Sequence, residues 1–180
     1  MSSSRIPECN LYHEKQEKQM CLLHAINNLL QKRVFNKEDL DKICLMLNDK
    51  YWFNPHRSML GLGNYDVNVL MTALLEQNLS VTWFDNRLRA DSIVTNKIVG
   101  YIFNTQASLL WYYLTKGRHW FAVLKTSDGK YYNLDSKLPR PKLIEDFHDF
   151  VNDHLDKGNE LLLVTKPEDA DSCIIKRNSK

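Results

Sequence analysis

The sequence predicts an α+β fold in which a helical part packs on a central antiparallel sheet. Up to about residue 77, apolar residues recur at spacings of three and four, as in helices with one buried face. From residue 79 onward, they fall instead in short segments rich in β-branched and aromatic residues, separated by turn formers. The pair Asp128-Gly129 between two of these segments indicates a hairpin, which favours antiparallel pairing.

Length and composition favour one domain. The chain has 180 residues, of which 43% are hydrophobic, enough for one sizeable core. We predict a domain over residues 11–165, preceded by a disordered polar leader over residues 1–10 and followed by a flexible tail over residues 166–180. The leader has no apolar core of a signal peptide and no run reaches membrane-span length, so we expect a soluble, cytoplasmic protein without an integral membrane segment.

Three helices are predicted before the first strand. The first begins at Cys21, where a polar lead-in gives way to an apolar helical pattern. The second follows Asn36, a residue type favoured as an N-cap, and the third begins at Asp66 and continues to about Gln77. Residues 48–65 contain proline and glycine without clear periodicity, which predicts a long loop between the second and third helices.

Strands dominate the rest of the chain. The predicted strands are Leu79–Phe84, Ile98–Phe103, Trp120–Leu124, Tyr131–Leu134 and Leu161–Val164. One further helix, over about residues 142–157, ends before Gly158, a residue type favoured just after a helix. We expect this helix to cover one face of the sheet.

Cys21 is a candidate nucleophile because of its place at a helix start. The unpaired N–H groups and partial positive charge there favour an anion, and a thiolate is a nucleophile. Gln16 lies five residues upstream, from where its amide could donate to an oxyanion. The hairpin can bring His119 and Asp135 together as a base and its orienter. A free cysteine nevertheless usually packs as a small hydrophobe, which leaves a structural role for Cys21 open.

Several motifs occur together in the chain: Tyr12-His13-Glu14-Lys15-Gln16, Cys21, His24, Asn27-Asn28, His119-Trp120 and Asn133-Leu134-Asp135-Ser136. In these motifs the sequence resembles the Josephin domain, a family of papain-like deubiquitinating cysteine proteases, and is most like the small stand-alone Josephin proteins. The resemblance extends through Asn54-Pro55-His56 and Gly61 to Asn68 and covers about residues 11–165 in order.

The resemblance implies a papain-like fold and a role for each site residue. It implies that Cys21 is the nucleophile, His119 its base, Asp135 the orienter of His119, and Gln16 the oxyanion donor. Some Josephin domains carry Asn at the position of Asp135, and either residue can accept a hydrogen bond from imidazole.

The activity implied is that of a ubiquitin-specific thiol protease that hydrolyses peptide and isopeptide bonds at the ubiquitin C-terminus through an acyl-enzyme. Ubiquitin, polyubiquitin or ubiquitinated proteins would be its partners, with no cofactor and with the enzyme as a monomer. An alternative is a weakly active or inactive ubiquitin-binding module that recruits partners through the apolar loop Leu109-Leu110-Trp111-Tyr112-Tyr113-Leu114. Such runs usually pack into the core, so that interpretation also stays open.

Other binding classes find little support in the sequence. The net charge of +2 arises from interspersed acidic and basic residues, without the basic stripe of a nucleic-acid-binding protein. The cysteines at positions 9, 21, 44 and 173 form no CxxC pair, which predicts reduced thiols and no zinc framework. Cys21 and His24 have the spacing of half a metal site, but no second pair follows. His24 is therefore interpreted as a packed or hydrogen-bonded helix residue.

Overall fold

The computed structural model describes residues 10–16, 20–47, 65–106 and 118–175. The helices in these ranges are α1 (Cys21–Leu30), α2 (Lys37–Leu47), α3 (Val67–Glu76) and α4 (Phe147–Asp156). The strands are β1 (Ser80–Trp83), β2 (Ile98–Gln106), β3 (Arg118–Lys125), β4 (Tyr131–Asn133), β5 (Lys142–Ile144) and β6 (Glu160–Thr165). Three short 3₁₀ helices occupy Ala90–Ser92, Thr95–Lys97 and Pro167–Ser172.

The described strands form one sheet of six strands in the order β1-β6-β2-β3-β4-β5, and each neighbouring pair is antiparallel. Side chains alternate between the two faces, as the period of a strand requires. In β3, Trp120 and Ala122 belong to a core cluster with α1, α2 and α3, whereas Phe121 and Val123 belong to a second cluster with α4. The predicted α+β arrangement, with helices packed on an antiparallel sheet, is confirmed.

Helix α1 is buried on the face of the sheet that also carries α2 and α3. Nine of its residues, Cys21 to Leu29, are buried. Gly100 of β2 permits this close packing, because a Cβ atom there would lie 2.8 Å from Cδ1 of Leu29. A glycine at this position thus leaves room for α1 to pack against β2.

The predicted starts of α2 and α3 are confirmed by their capping contacts. The Oδ1 atom of Asn36 accepts a hydrogen bond from the Asp39 N–H, and Oδ2 of Asp39 accepts one from the Asn36 N–H. Asp66 caps α3 by accepting hydrogen bonds from the N–H groups of Asn68 and Val69. These contacts satisfy N–H groups that have no partner within the helix.

The predicted helix over residues 142–157 is wrong at its start. Lys142–Ile144 form the edge strand β5, and α4 begins only at Phe147. Leu143 and Phe147 have helical spacing, but Asp146 between them caps α4 by accepting a hydrogen bond from the Asp149 N–H. That cap sets the boundary, and the residues before it pair with β4.

The prediction of a loose tail from residue 166 is also wrong as far as residue 175. After Pro167–Ser172, Cys173 is buried and Ile174 forms an antiparallel bridge with Ile93. Two apolar side chains and backbone hydrogen bonds therefore fix a segment that lacks apolar periodicity. The predictions for residues 1–9, 48–64, 176–180 and the apolar loop at 109–114 lie outside the described residues.

Within the described ranges, no helix combines the length and the apolar character that crossing a membrane would require.

Candidate active site

Cys21 is the first residue of α1, as the sequence predicts. It is 6% exposed, and its Sγ atom lies 4.0 Å from the backbone oxygen of Arg118 at the start of β3. Met20, at the N-cap position, makes no side-chain cap, and the first turn contains no acidic residue. The partial positive charge of this helix end is therefore not offset by a capping carboxylate, which favours an anion at the thiol position.

His119 and Asp135 are in direct contact, as the predicted hairpin allows. Nε2 of His119 lies 2.7 Å from Oδ1 of Asp135. His119 is in β3, Asp135 follows β4, and the backbone N–H of Leu134 continues the pairing by donating to the Ala122 oxygen. Oδ1 of Asp135 also accepts a hydrogen bond from the backbone N–H of Lys137 at 2.9 Å, so two donors fix the carboxylate.

The surroundings of this pair favour a protonated His119 ring and an ionised Asp135 carboxylate. Burial lowers the pKa of His119, but hydrogen bonds to Asp135 and Cys21 raise it, and the net pKa lies above the ordinary value. Burial raises the pKa of Asp135, but the hydrogen bond and charge of His119 lower it more, and the net pKa lies below the ordinary value. Since Nε2 contacts Asp135, Nδ1 is the ring nitrogen left for the Cys21 side chain.

Gln16 lies beside the residue that follows Asp135. Its backbone N–H donates to the Ser136 oxygen at 2.8 Å, and its Oε1 atom accepts a hydrogen bond from the Ser136 hydroxyl at 3.4 Å. This contact involves the amide oxygen, whereas an oxyanion would require the NH₂ group of the same amide. The proposed role of Gln16 as an oxyanion donor remains a prediction.

Three successive carbonyl groups around Asp135 are held by hydrogen bonds from the N-terminal part of the chain. Asn28 Nδ2 donates to the backbone oxygen of Leu134 at 2.9 Å, and His13 Nε2 contacts the backbone oxygen of Asp135 at 3.0 Å. The backbone N–H of Gln16 donates to the backbone oxygen of Ser136. A carbonyl oxygen only accepts, so His13 carries its proton on Nε2. We call these three contacts the carbonyl clamp. It connects α1, which carries Cys21, to the segment that carries Asp135.

The carboxylate of Glu14 connects the N-terminal segment to α1. It accepts hydrogen bonds from His24 Nδ1 at 2.7 Å, Asn27 Nδ2 at 3.1 Å and the Tyr12 hydroxyl at 2.5 Å. Burial raises the pKa of Glu14, but these donors lower it more, and the net pKa lies below the ordinary value. The interpretation of His24 as a hydrogen-bonded helix residue is confirmed.

The sequence interpretation missed the roles of Glu14 and Asn28 in these contacts. A signal was present, because Asn27-Asn28 interrupts the apolar pattern of α1 and both residues are buried. Polar side chains on a buried helix face require hydrogen-bond partners nearby. In the described part of the chain, no group of three or more His, Cys, Asp or Glu residues is arranged to hold a metal ion.

Comparisons with known proteins agree with the resemblance seen in the sequence. The Josephin family model matches residues 16–165. A Josephin-like protein from Drosophila melanogaster is 43% identical over 166 residues, which is 88% of this chain and 75% of the relative. Josephin-2 from Mus musculus is 40% identical over 172 residues, 91% of each chain. Ataxin-3 from Homo sapiens is 28% identical over 158 residues, 76% of this chain and 40% of the relative. The chain belongs to the Josephin family.

Proposed function

We propose that this protein is a cysteine-type deubiquitinase that hydrolyses peptide and isopeptide bonds at the C-terminus of ubiquitin. The observation that carries the proposal is the contact of 2.7 Å between His119 Nε2 and Asp135 Oδ1. The same His119 ring also interacts with the side chain of Cys21, which lies at a helix N-terminus. A nucleophile, a base and an orienter in this order are the components of a catalytic triad. Membership in the Josephin family supports a deubiquitinase-like role.

Before the substrate binds, His119 has taken the proton of Cys21, so that the resting site holds a thiolate beside an imidazolium. The thiolate attacks the terminal carbonyl carbon of ubiquitin, a C–S bond forms, and the carbonyl electron pair moves to the oxygen. The C–N bond then breaks while His119 donates its proton to the leaving amine. A thioester between Cys21 and ubiquitin remains.

Water completes the reaction on the same residues. His119 removes a proton from water, and the resulting hydroxide adds to the thioester carbonyl. The C–S bond breaks and expels the Cys21 thiolate beside the protonated His119, while the new carboxylic acid of ubiquitin releases its proton to water and leaves as a carboxylate. Asp135 accepts a hydrogen bond from Nε2 throughout, so that Nδ1 keeps its orientation towards the sulfur.

Gln16 and backbone N–H groups at the start of α1 are proposed to hold the oxyanion. Support comes from the position of Gln16, since its backbone is held against Ser136, the residue next to Asp135. Oxyanion donors act most strongly when they are fixed before the charge develops.

The proposed substrates are ubiquitin, polyubiquitin or ubiquitinated proteins, and we propose that the enzyme acts as a monomer in the cytoplasm. Within the described residues, Cys21 and Cys173 take part in no disulfide, which supports a reducing compartment.

A ubiquitin with an electrophile at its C-terminus tests this function. We expect one covalent adduct, located at Cys21 by peptide mass mapping and absent in Cys21→Ser. Cys173 serves as an internal control, because burial raises the pKa of its thiol. An adduct at another cysteine would overturn the site assignment. A folded protein that binds ubiquitin but does not react would favour a binding module instead.

A further inference from the structure

A groove of about 530 Å³ lies beside the candidate active site. It is lined by Lys15, Gln16, Ser136, Lys137, Leu138 and Pro139. Gln16, the proposed oxyanion donor, therefore belongs both to the groove and to the site. The other wall begins at Ser136, directly after the residue that contacts His119.

The two walls of the groove are joined by the Gln16 N–H, which donates to the backbone oxygen of Ser136 at 2.8 Å. Within the second wall, the Leu138 N–H donates to the backbone oxygen of Asp135 at 2.9 Å and fixes a turn. His13 contacts that same Asp135 oxygen. The groove is thus built by the segment that also places Asp135, and its shape is coupled to the site.

Each wall carries one exposed lysine, Lys15 on the first and Lys137 on the second. The described lining contains no Asp or Glu. Leu138 and Pro139 add apolar surface to the lining. A segment with acidic side chains and a short apolar stretch would complement this lining.

The position of the groove relative to the reaction indicates which part of the substrate enters it. In the proposed reaction, the leaving amine departs towards His119, because that ring donates the proton. The groove wall continues from Asp135, which orients His119. A groove that shares Gln16 with the proposed oxyanion position and begins one residue after Asp135 is suited to the leaving-group side, where residues flanking the modified lysine of the substrate would pass.

We propose that this groove is a subsite for the leaving group, and that Lys15 and Lys137 favour acceptor segments with acidic residues beside the modified lysine. The inference rests on the proposed function. Exposed ion pairs are weak, so the preference should be roughly three- to tenfold for two pairs. It should also decrease with salt, because exposed charges are screened within about 10 Å at 0.1 M ionic strength.

The test compares two isopeptide substrates in which ubiquitin is joined to a peptide lysine flanked either by Glu or by Gln. We expect the full chain to show a kcat/KM roughly three- to tenfold higher on the Glu peptide. In Lys15→Gln/Lys137→Gln the ratio of the two values should approach one, and in Lys15→Glu/Lys137→Glu it should fall below one. Because the ratio is taken within each variant, a general loss of activity cancels.

A matched control is Lys157→Gln/Lys166→Gln, which removes the same charge from exposed residues outside the groove. This control should keep the ratio of the unmodified protein. A ratio near one in the unmodified protein, or an equal change in the control, would overturn the subsite. Ubiquitin joined to a small fluorescent amine distinguishes the two proposals. Turnover of that substrate together with a ratio near one on the two peptide substrates refutes the subsite alone. No turnover of any substrate refutes the proposed function and the subsite with it.

Discussion

Replacing Asp135 by Asn and by Ala separates the two ways in which this residue can serve His119. Oδ1 of Asp135 accepts hydrogen bonds from His119 Nε2 at 2.7 Å and from the Lys137 N–H at 2.9 Å. An Asn side chain that presents its oxygen at this position keeps both contacts and loses only the charge. An Ala side chain loses the contacts and the charge together.

The expected magnitudes follow from these contacts. Losing a hydrogen bond that orients a buried group costs about 1–3 kcal/mol, or roughly 5- to 150-fold in rate. We therefore expect Asp135→Ala to lose that factor or more, and Asp135→Asn to stay within about tenfold of the unmodified protein. In a serine triad the same Asn change can cost about 10⁴-fold, because it leaves the wrong histidine tautomer. A resting thiolate beside an imidazolium largely avoids this problem, since both ring nitrogens then carry protons.

The pH profile provides a second measure of the same change. The hydrogen bond and charge of Asp135 help to raise the pKa of His119, while burial lowers it. Without the carboxylate charge, the pKa of His119 should fall, and the alkaline limb of kcat/KM should move to lower pH. Hydrolysis of a ubiquitin amide from about pH 5 to about pH 9 measures both effects, with circular dichroism to confirm folding. If Asn were as damaging as Ala at every pH in folded protein, the ion-pair picture would be refuted. His119 would then act as a neutral base that needs the carboxylate when it becomes charged.

Three further predictions concern Gln16, the carbonyl clamp and stability. Gln16→Ala should lower kcat by roughly 10²- to 10³-fold with little change in ubiquitin affinity, and a rise in KM at constant kcat would identify a substrate contact instead. Asn28→Ala leaves the buried Leu134 oxygen without its donor, so denaturant unfolding should show a loss of about 1–3 kcal/mol. The His119–Asp135 pair should stabilise the fold most between the unfolded-state pKa values of about 3.9 and 6.5. The contribution of His119 disappears as pH rises through its raised pKa, and that of Asp135 as pH falls through its lowered pKa. Unfolding of Asp135→Ala compared with the unmodified protein across pH measures this, and a difference independent of pH would contradict it.

The features that could be predicted from the sequence depend on local patterns. The start of α1 at Cys21 follows from apolar periodicity, and the His119–Asp135 contact follows from a hairpin whose turn contains Asp128-Gly129. Gly129 indeed has a positive φ of 84°, a conformation that glycine adopts without strain. Each prediction needs only residues that are close in sequence or joined by one turn.

The features that could not be predicted depend on distant residues. The clamp contacts Asn28–Leu134 and His13–Asp135 join residues 106 and 122 positions apart. No periodicity specifies such pairs, because they exist only once the sheet and α1 have packed together. The order of residues 166–175 has the same origin, since Cys173 becomes buried and Ile174 partly buried only against the assembled domain. The predicted start of α4 was wrong for a different reason, because the helical spacing of apolar residues continues across the cap at Asp146.

The candidate site combines two units that are far apart in sequence, the helix that carries Cys21 and the hairpin that carries His119 and Asp135. Their relative position decides whether the thiol faces the ring, and neither unit can fix it alone. Two features of the structure set that position. Gly100 lets Leu29 of α1 approach β2. Asn28, which precedes Leu29 in the same helix, donates to the backbone oxygen of Leu134, the residue before Asp135. Neighbouring residues of α1 thus fix its depth on the sheet and its attachment to the segment that orients His119. The polar pair in the motif Asn27-Asn28 therefore has a physical reason to occupy a buried helix face, where apolar residues would pack well but could not hold the Asp135 segment in place.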